Sequence, residues 1–301
     1  MPRKRPRTKS QSAVLARALE VRSANVERAG IVRRAAWTQQ LATEGWALVR
    51  LIGIGGDSDS QRVQSAVVAA RVAGYVQSRV HDVGGAFLFH EVQLTGRVQQ
   101  LGTVPFTTHT GEPSRIRMPV KRADRDYLLS RWLARLRRHV DAAKREVQSA
   151  FPHLIIDDGY YVLSLAGQAT QPPHIDARRT PELRALCRRQ PEHAPLSVFV
   201  SAQHGTRLRI WPRTHRLLEK EPSEMSDHDE EEYSWCDVTI PPGHMLIIRY
   251  DLLHAGVAYA RPNVLAHLYA STPLMDDESS VVGVEPLAAM PLCVMRRCVV
   301  N

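Results

Sequence analysis

His174 and Asp176 stand two positions apart in Gln171-Pro172-Pro173-His174-Ile175-Asp176, and a remote histidine, His254, follows in Asp251-Leu252-Leu253-His254-Ala255-Gly256. In an extended segment residues i and i+2 project from one face, so His174 and Asp176 can ligate the same ion. A histidine at the end of a second strand can complete a two-histidine, one-carboxylate face. Such a face suits Fe(II) and leaves positions open for a co-substrate and O2. In a chain with 13 histidines, a His-x-Asp pair with a later His is a weak signal in isolation. Its weight depends on the elements that position it.

After Pro152 the chain reads as short apolar runs separated by Pro, Gly and polar clusters, the texture of a strand-rich region. Strands are predicted near Tyr160–Leu165, Leu196–Ser201, Thr206–Trp211, Cys236–Ile240, Met245–Tyr250 and Val264–Ser271. The fifth leads directly into His254. Strands at this spacing suit two packed sheets, a β-sandwich or jelly roll, which shelters sheet edges better than one open sheet. Glu219–Glu232 holds eight acidic residues and reads as a surface insertion.

The first half is more helical. Val14, Leu15, Ala18, Leu19, Val26, Ile31 and Val32 recur at roughly helical spacing from Ser12 to about Gln40, Trp46–Ile52 reads as a strand, and a helix is expected from about Ser60 to Arg79. The glycines Gly53, Gly55 and Gly56 do not make a dinucleotide fingerprint, because Ser58 falls where the third glycine belongs. Asp57 or Ser58 reads as the helix cap instead. Residues 100–124 show no periodicity and are expected to be an irregular substrate loop carrying the basic run Arg115–Arg122. From about Arg125 to Ala150, Leu129, Trp132, Leu133, Leu136, Val140, Ala143 and Val147 form an apolar stripe, and Arg131, Arg135, Arg138 and Arg145 share another face. The expected class is therefore α+β. A basic disordered arm (1–11) precedes one domain (12–275), made of a helical layer (12–150) and a jelly-roll core (155–272) with the acidic insertion at 219–232, and a C-terminal extension (276–301) follows.

Forty Lys and Arg against 31 Asp and Glu give a formal charge of +9, which points to anionic partners and makes nucleic acid a candidate through the basic surface. No run approaches the roughly 20 apolar residues of a membrane span, and the first residues lack the apolar core of a secretory signal. An intracellular protein, cytoplasmic or nuclear and without a membrane partner, is expected. Cys187, Cys236, Cys293 and Cys298 include no CxxC pair and read as reduced thiols.

Around the His-x-Asp pair the chain resembles the Fe(II)/2-oxoglutarate-dependent dioxygenases, in particular a phytanoyl-CoA dioxygenase-like branch. The resemblance runs from about Trp46 to Thr272 and is specific after Tyr160. It rests on Tyr160–Leu165 leading through Gly167 and Gln171 to His174 and Asp176, on Leu208–His215, on Pro242-Gly243-His244 before His254-Ala255-Gly256, and on Asn263–Tyr269 as a closing strand. It implies a double-stranded β-helix (cupin-like) core, iron bound by His174, Asp176 and His254 as catalytic ligands, and 2-oxoglutarate as co-substrate. The implied activity is hydroxylation of a small-molecule or macromolecular substrate with release of succinate and CO2.

One position departs from the family pattern. An Arg or Lys is expected ten or eleven residues beyond the distal His, to pair with the far carboxylate of 2-oxoglutarate. Val264 and Leu265 stand there. Tyr161, Arg261 and His267 are candidate co-substrate ligands in its place, and Arg249 is a further one. The departure keeps two other classes open: a non-catalytic metal-binding protein on the same fold, and a nucleic-acid-binding protein or nucleic-acid-directed oxygenase. His215 and His244 read as turn histidines, Arg178 and Arg179 flank any active-site mouth, and no GxSxG elbow supports a serine hydrolase.

Overall fold

The computed structural model describes residues 30–54, 59–82, 115–167, 169–171, 173–176, 180–218, 234–274 and 285–286. Its centre is β11 (Asn263–Ser271), nine residues of which all but the last are buried. Flanking it in the large sheet are β6 (Leu196–Ser201) on one side and β4 (Tyr160–Ser164) with β3 (Ile155–Ile156) on the other. Beyond β6 lie β9 (His244–Arg249) and β1 (Trp46–Arg50); beyond β4 lies β2 (Arg115–Pro119). A second sheet runs β12 (Glu285–Pro286), β5 (His174–Ile175), β10 (His254–Gly256), β7 (Arg207–Ile210), β8 (Cys236–Thr239). Every pairing is antiparallel.

Strand alternation divides the core in two. Leu196, Val198 and Val200 of β6, Met245 and Ile247 of β9, and Val264, Ala266, Leu268 and Ala270 of β11 face the helices. Phe199, Leu246, Ile248 and Leu265 face the second sheet, where they meet Leu208, Ile210, Cys236 and Val238. The two sheets therefore pack face to face through an apolar layer. Fully burying one such Leu or Ile is worth about 1.5–3 kcal/mol.

The outer face of the large sheet is covered by α1 (30–44), α2 (Asp59–Asp82) and α4 (Tyr127–Ala150), a short helix α3 (Val120–Ala123) preceding the last. The Asp126 carboxylate caps α4, accepting from the backbone N–H of Leu128 and Leu129 at 2.9 and 3.0 Å. The predicted stripe is the face that α4 buries: Leu129, Leu133, Leu136, Val140, Ala143 and Val147 lie against the sheet, with Trp132 half-buried beside them. Among the described residues no helix is long and apolar enough to cross a membrane.

Two expectations change. The basic run within 100–124 is regular, not irregular: β2 pairs with β4 from Arg115↔Ser164 to Pro119↔Tyr160 and buries Met118, and α3 follows. Pairing with a preformed strand supplied the order that local periodicity lacked. Within 177–194, which carries no recognisable code in the sequence, an undetected helix α5 (Pro181–Arg189) forms, its Leu183 N–H donating to Thr180 Oγ1 at 3.2 Å. Thr180-Pro181-Glu182 was the available signal, a capping residue followed by proline at the first helical position. The arm, residues 100–114, Asp57, Ser58, Arg178, Arg179, the acidic insertion, Cys293 and Cys298 lie outside the described residues. Cys187 and Cys236 are buried.

Candidate metal centre

His174 and His254 face each other across the second sheet as paired residues of β5 and β10, their ring centroids 4.5 Å apart. The segment before β5 sets this register. Gln171 N–H donates to the Gly256 carbonyl at 2.8 Å, and Gln171 Oε1 accepts from Gly256 N–H at 3.0 Å. Asp176, two residues past His174, is tied by its own N–H to the Tyr250 carbonyl at 3.1 Å. One donor atom from each of His174, Asp176 and His254 lies within 4.8 Å of the other two, and all three residues are buried.

The corner between β9 and β10 places His254. Arg249 donates to both carboxylate oxygens of Asp251, at 2.9 and 2.7 Å, in a buried pair. Leu253 N–H donates to Thr214 Oγ1 at 3.0 Å, and its carbonyl accepts from Trp211 N–H at 3.0 Å. His254 Nδ1 donates to the Leu252 carbonyl at 3.0 Å, which assigns the proton to Nδ1 and leaves Nε2 as the coordinating nitrogen. That Nε2 lies 3.5 Å from Asp176 Oδ1.

The other carboxylate oxygen is held by the protein. Ser197 Oγ donates to Asp176 Oδ2 at 2.5 Å, and His267 Nε2 lies 3.4 Å from the same oxygen. Phe199 stacks on His267 with ring centroids 4.2 Å apart and meets His254 edge-on at 6.0 Å. Burial opposes ionisation of Asp176, but His254 and His267 outweigh it and hold the carboxyl well below the usual range. Burial likewise disfavours the charged form of His254, and the Asp176 carboxylate overcomes it, raising the imidazole. The Asp176 carboxyl is thus ionised, as a metal ligand must be.

The candidate co-substrate ligands end in three different places. His267 reaches the centre through Asp176. Tyr161 lies on the opposite face of the large sheet, fully buried in the helix-side core, its hydroxyl pushed up by burial and by Asp124 and without a hydrogen-bond partner among the described residues. Arg261 is exposed and lines a recess beside Gln203 and Asn263. Arg249 is engaged with Asp251. Position thus separates Tyr161, Arg249 and Arg261 from the metal face: Tyr161 and Arg249 share the strand parity of the helix-side residues, and Arg261 precedes β11 altogether. His215 is a buried residue of a short helix (Thr214–Leu218), and His244 opens β9.

Ser197 was missed from sequence. Its signal was a lone hydroxyl within Leu196-Ser197-Val198-Phe199-Val200, at the parity of Phe199 and hence on the inter-sheet face. As to fit, two imidazoles and one ionised carboxylate, buried and convergent, form a donor set suited to Fe(II). Of the candidate co-substrate cations, Arg249 is taken up by Asp251 and Arg261 lies at a surface recess, so neither is placed at the metal face.

No family model and no curated protein matches the chain. Solved structures overlap it at low identity. AviO1 from Streptomyces viridochromogenes Tue57 is 13% identical, with 80% of this chain and 95% of that one covered and a TM-score of 0.46. The non-heme alpha ketoglutarate dependent epimerase SnoN from nogalamycin biosynthesis is 11% identical over 85% of this chain and 91% of its own, with a TM-score of 0.45. A Pseudomonas putida prolyl-4-hydroxylase is 13% identical over 79% and 98%, with a TM-score of 0.37. TM-scores below one half carry no inference about this chain's activity.

Proposed function

We propose that this chain is an Fe(II)- and 2-oxoglutarate-dependent oxygenase of the phytanoyl-CoA dioxygenase-like type, hydroxylating a substrate still to be identified. The observation that carries the reading is the convergence of His174, Asp176 and His254, from two strands and the residue beyond one of them, into a single buried donor set. The antiparallel order β9-β6-β11-β4 packed over β5-β10-β7-β8 supports a double-stranded β-helix.

Iron supplies oxygen activation in this chemistry, and 2-oxoglutarate supplies two electrons as it is converted to succinate and CO2. The chain's own residues do the positioning. His254 presents Nε2 because Leu252 holds the Nδ1 proton. Ser197 occupies Asp176 Oδ2, so that Oδ1, the oxygen nearer His254, is the one presented to the metal. His174, Asp176 and His254 would hold the iron through one atom each and would leave its remaining positions to exogenous ligands. Phe199, Leu246, Ile248 and Leu265 keep the adjoining inter-sheet space apolar, which excludes water from beside the centre.

A second reading, a metal-binding protein without turnover on the same fold, is favoured by Val264 and Leu265 at the positions where the family pattern expects an Arg or Lys. Anaerobic addition of 2-oxoglutarate to the Fe(II)-loaded protein separates the two, because chelation produces a visible charge-transfer band without needing the substrate. The oxygenase reading expects the band and, after O2 is admitted, succinate; both disappear in His174→Ala and His254→Ala. Stoichiometric Fe(II) binding with neither band nor succinate would establish the second reading instead.

A further inference from the structure

We propose that Asn263, the first residue of β11, anchors the far carboxylate of 2-oxoglutarate through a neutral amide donor, where the sequence lacks the expected cation. The role rests on the oxygenase reading of the same site. By strand alternation Asn263 shares the inter-sheet face of Leu265 and His267, because Val264, Ala266 and Leu268 face the helices. Ser164, its partner on β4, has the parity of Val162, and Ser201, the partner of Leu265 on β6, has the parity of Phe199, so both face inward too. With Thr206 these residues form a buried polar patch, each 4% exposed or less, at one end of an otherwise apolar layer.

Hydrogen bonds fix which way the Asn263 amide points. Val264 N–H donates to Gln203 Oε1 at 3.2 Å, so the Gln203 amide nitrogen is the group that meets Asn263, and it donates to Asn263 Oδ1 at 2.7 Å. Thr206 Oγ1 donates to the same oxygen at 2.7 Å. Oδ1 is thereby committed to the β6–β7 turn, whose Gln203 also walls two surface recesses of about 440 and 340 Å³. The Nδ2 donors lie on the other edge of the amide, buried and without an acceptor among the described residues. A buried donor left unmet is costly, and an ionised carboxylate is the strongest acceptor it could be offered.

The inter-sheet face between Asn263 and Asp176 is not sealed. Leu265 keeps 6% of its surface exposed, Val162 and Phe199 5% each and His267 4%, whereas Val200, Ala266 and Leu268 on the helix side of β6 and β11 keep none. β4, β6 and β11 are hydrogen-bonded along both edges, so this residual exposure lies between the sheets. The span also fits. Asn263 stands four residues from His267, about 13 Å along the strand. A five-carbon diacid chelated at the triad covers about 5 Å between its carboxyl carbons, and the metal bond, the hydrogen bond and the asparagine arm supply the remainder. His267, 3.4 Å from Asp176 Oδ2, stands beside the ion's ligands and so too near to meet the far end.

Anaerobic titration of the Fe(II)-loaded full chain with 2-oxoglutarate and with 2-oxopentanoate tests the anchor. Both acids chelate through the same two oxygens, and only the first has a far carboxylate. The charge-transfer band should report binding of 2-oxoglutarate at least about tenfold tighter, the worth of a hydrogen bond to a charged group. Asn263→Leu, of similar size without the donor, should erase that preference by weakening 2-oxoglutarate alone. Asn263→Ala should do the same, and the retained 2-oxopentanoate band shows that each variant is folded at the metal. Equal affinity for the two acids in the parent protein overturns the anchor, as does a preference that survives both substitutions. Loss of the preference in Arg261→Ala but not in the Asn263 variants overturns it too, by assigning the carboxylate to the arginine. A band with neither acid in the parent removes the oxygenase reading and the anchor with it, whereas equal bands remove the anchor alone.

Discussion

The two ends of β11 have been built to opposite specifications. Around His267 and Tyr269 the strand is interlocked with its surroundings: Ser197 and His267 converge on Asp176, Asp157 exchanges hydrogen bonds with Tyr269, and Gly159 lies against the His267 carbonyl. Around Asn263 and Val264 there are open recesses and a buried amide donor without an acceptor among the described residues. The first end resembles a site that must hold one geometry before anything binds, the requirement for presenting ligands to a metal. The second leaves open space beside the strand.

Replacing Gly159 with alanine is the harshest test of the packed end. The residue has φ +69°, and an added Cβ would run into the Leu268 side chain and the His267 carbonyl oxygen. Left-handed strain of about 1–2 kcal/mol adds to an overpacking cost of about 1–3 kcal/mol. Gly159→Ala should therefore lose about 3 kcal/mol in urea unfolding. A loss under about 1 kcal/mol would mean that this end yields as easily as a surface turn.

Ser197→Ala comes next, because it removes the donor from Asp176 Oδ2 without touching a metal ligand. Loss of an outer hydrogen bond of this kind typically costs 10- to 100-fold in metal affinity. Titration with Co(II) should show that loss together with a changed visible spectrum, as the freed Oδ2 turns to the ion. Ser197→Thr should restore both. An unaltered Co(II) spectrum in Ser197→Ala would show that the serine does not control how Asp176 is presented.

Interlocking has a cost that pH exposes. Burial is the main cause that raises the Asp157 carboxyl from 3.8 to about 6, against the hydrogen bond it accepts from Tyr269 N–H. The folded state therefore binds the proton more tightly than the unfolded one, and stability falls as pH rises from about 4 to about 6 and is level above that. Two pH units correspond to about 3 kcal/mol at most; partial exposure reduces this to about 1–2 kcal/mol. Asp157→Asn should be the more stable protein at pH 7 by that amount and equal to the parent below about pH 4. His215 works in the opposite sense: burial, then Arg249, lowers it to about 4, so its contribution is present above pH 6.5 and lost as pH falls. The parent protein alone will show these two superposed on the titration of the other buried groups, Asp176 and His254 among them. The Asn variant isolates the carboxylate, and a parent-like profile in that variant would remove Asp157 from the account.

The same contrast explains what sequence could deliver. The positions of His174, Asp176 and His254 were legible because they need only strand parity and strand ends, both of which follow from alternation of apolar residues. The α4 stripe was legible because 24 residues repeat one pattern. Tyr161 was misassigned to the pocket because which parity of β4 faces the second sheet depends on partners far away in sequence, Ala266 of β11 and Met118 of β2. The arginines that line the two recesses come from α4, β7 and the turn before β11; no local pattern joins 131 to 261. Local periodicity thus disclosed the packed end, and tertiary assembly created the open one.

Gly205→Ala is the matching change at the open end and should have the smallest effect. Gly205 has φ +82°, as demanding a backbone as Gly159, and it lines the larger recess. Among the described residues nothing lies within 4 Å of an added Cβ there, so only the left-handed strain remains, about 1 kcal/mol. The difference between the two alanine variants therefore measures packing with backbone strain held nearly constant. It should amount to about 2 kcal/mol. Equal losses for the two variants would mean that packing does not distinguish the two ends of β11.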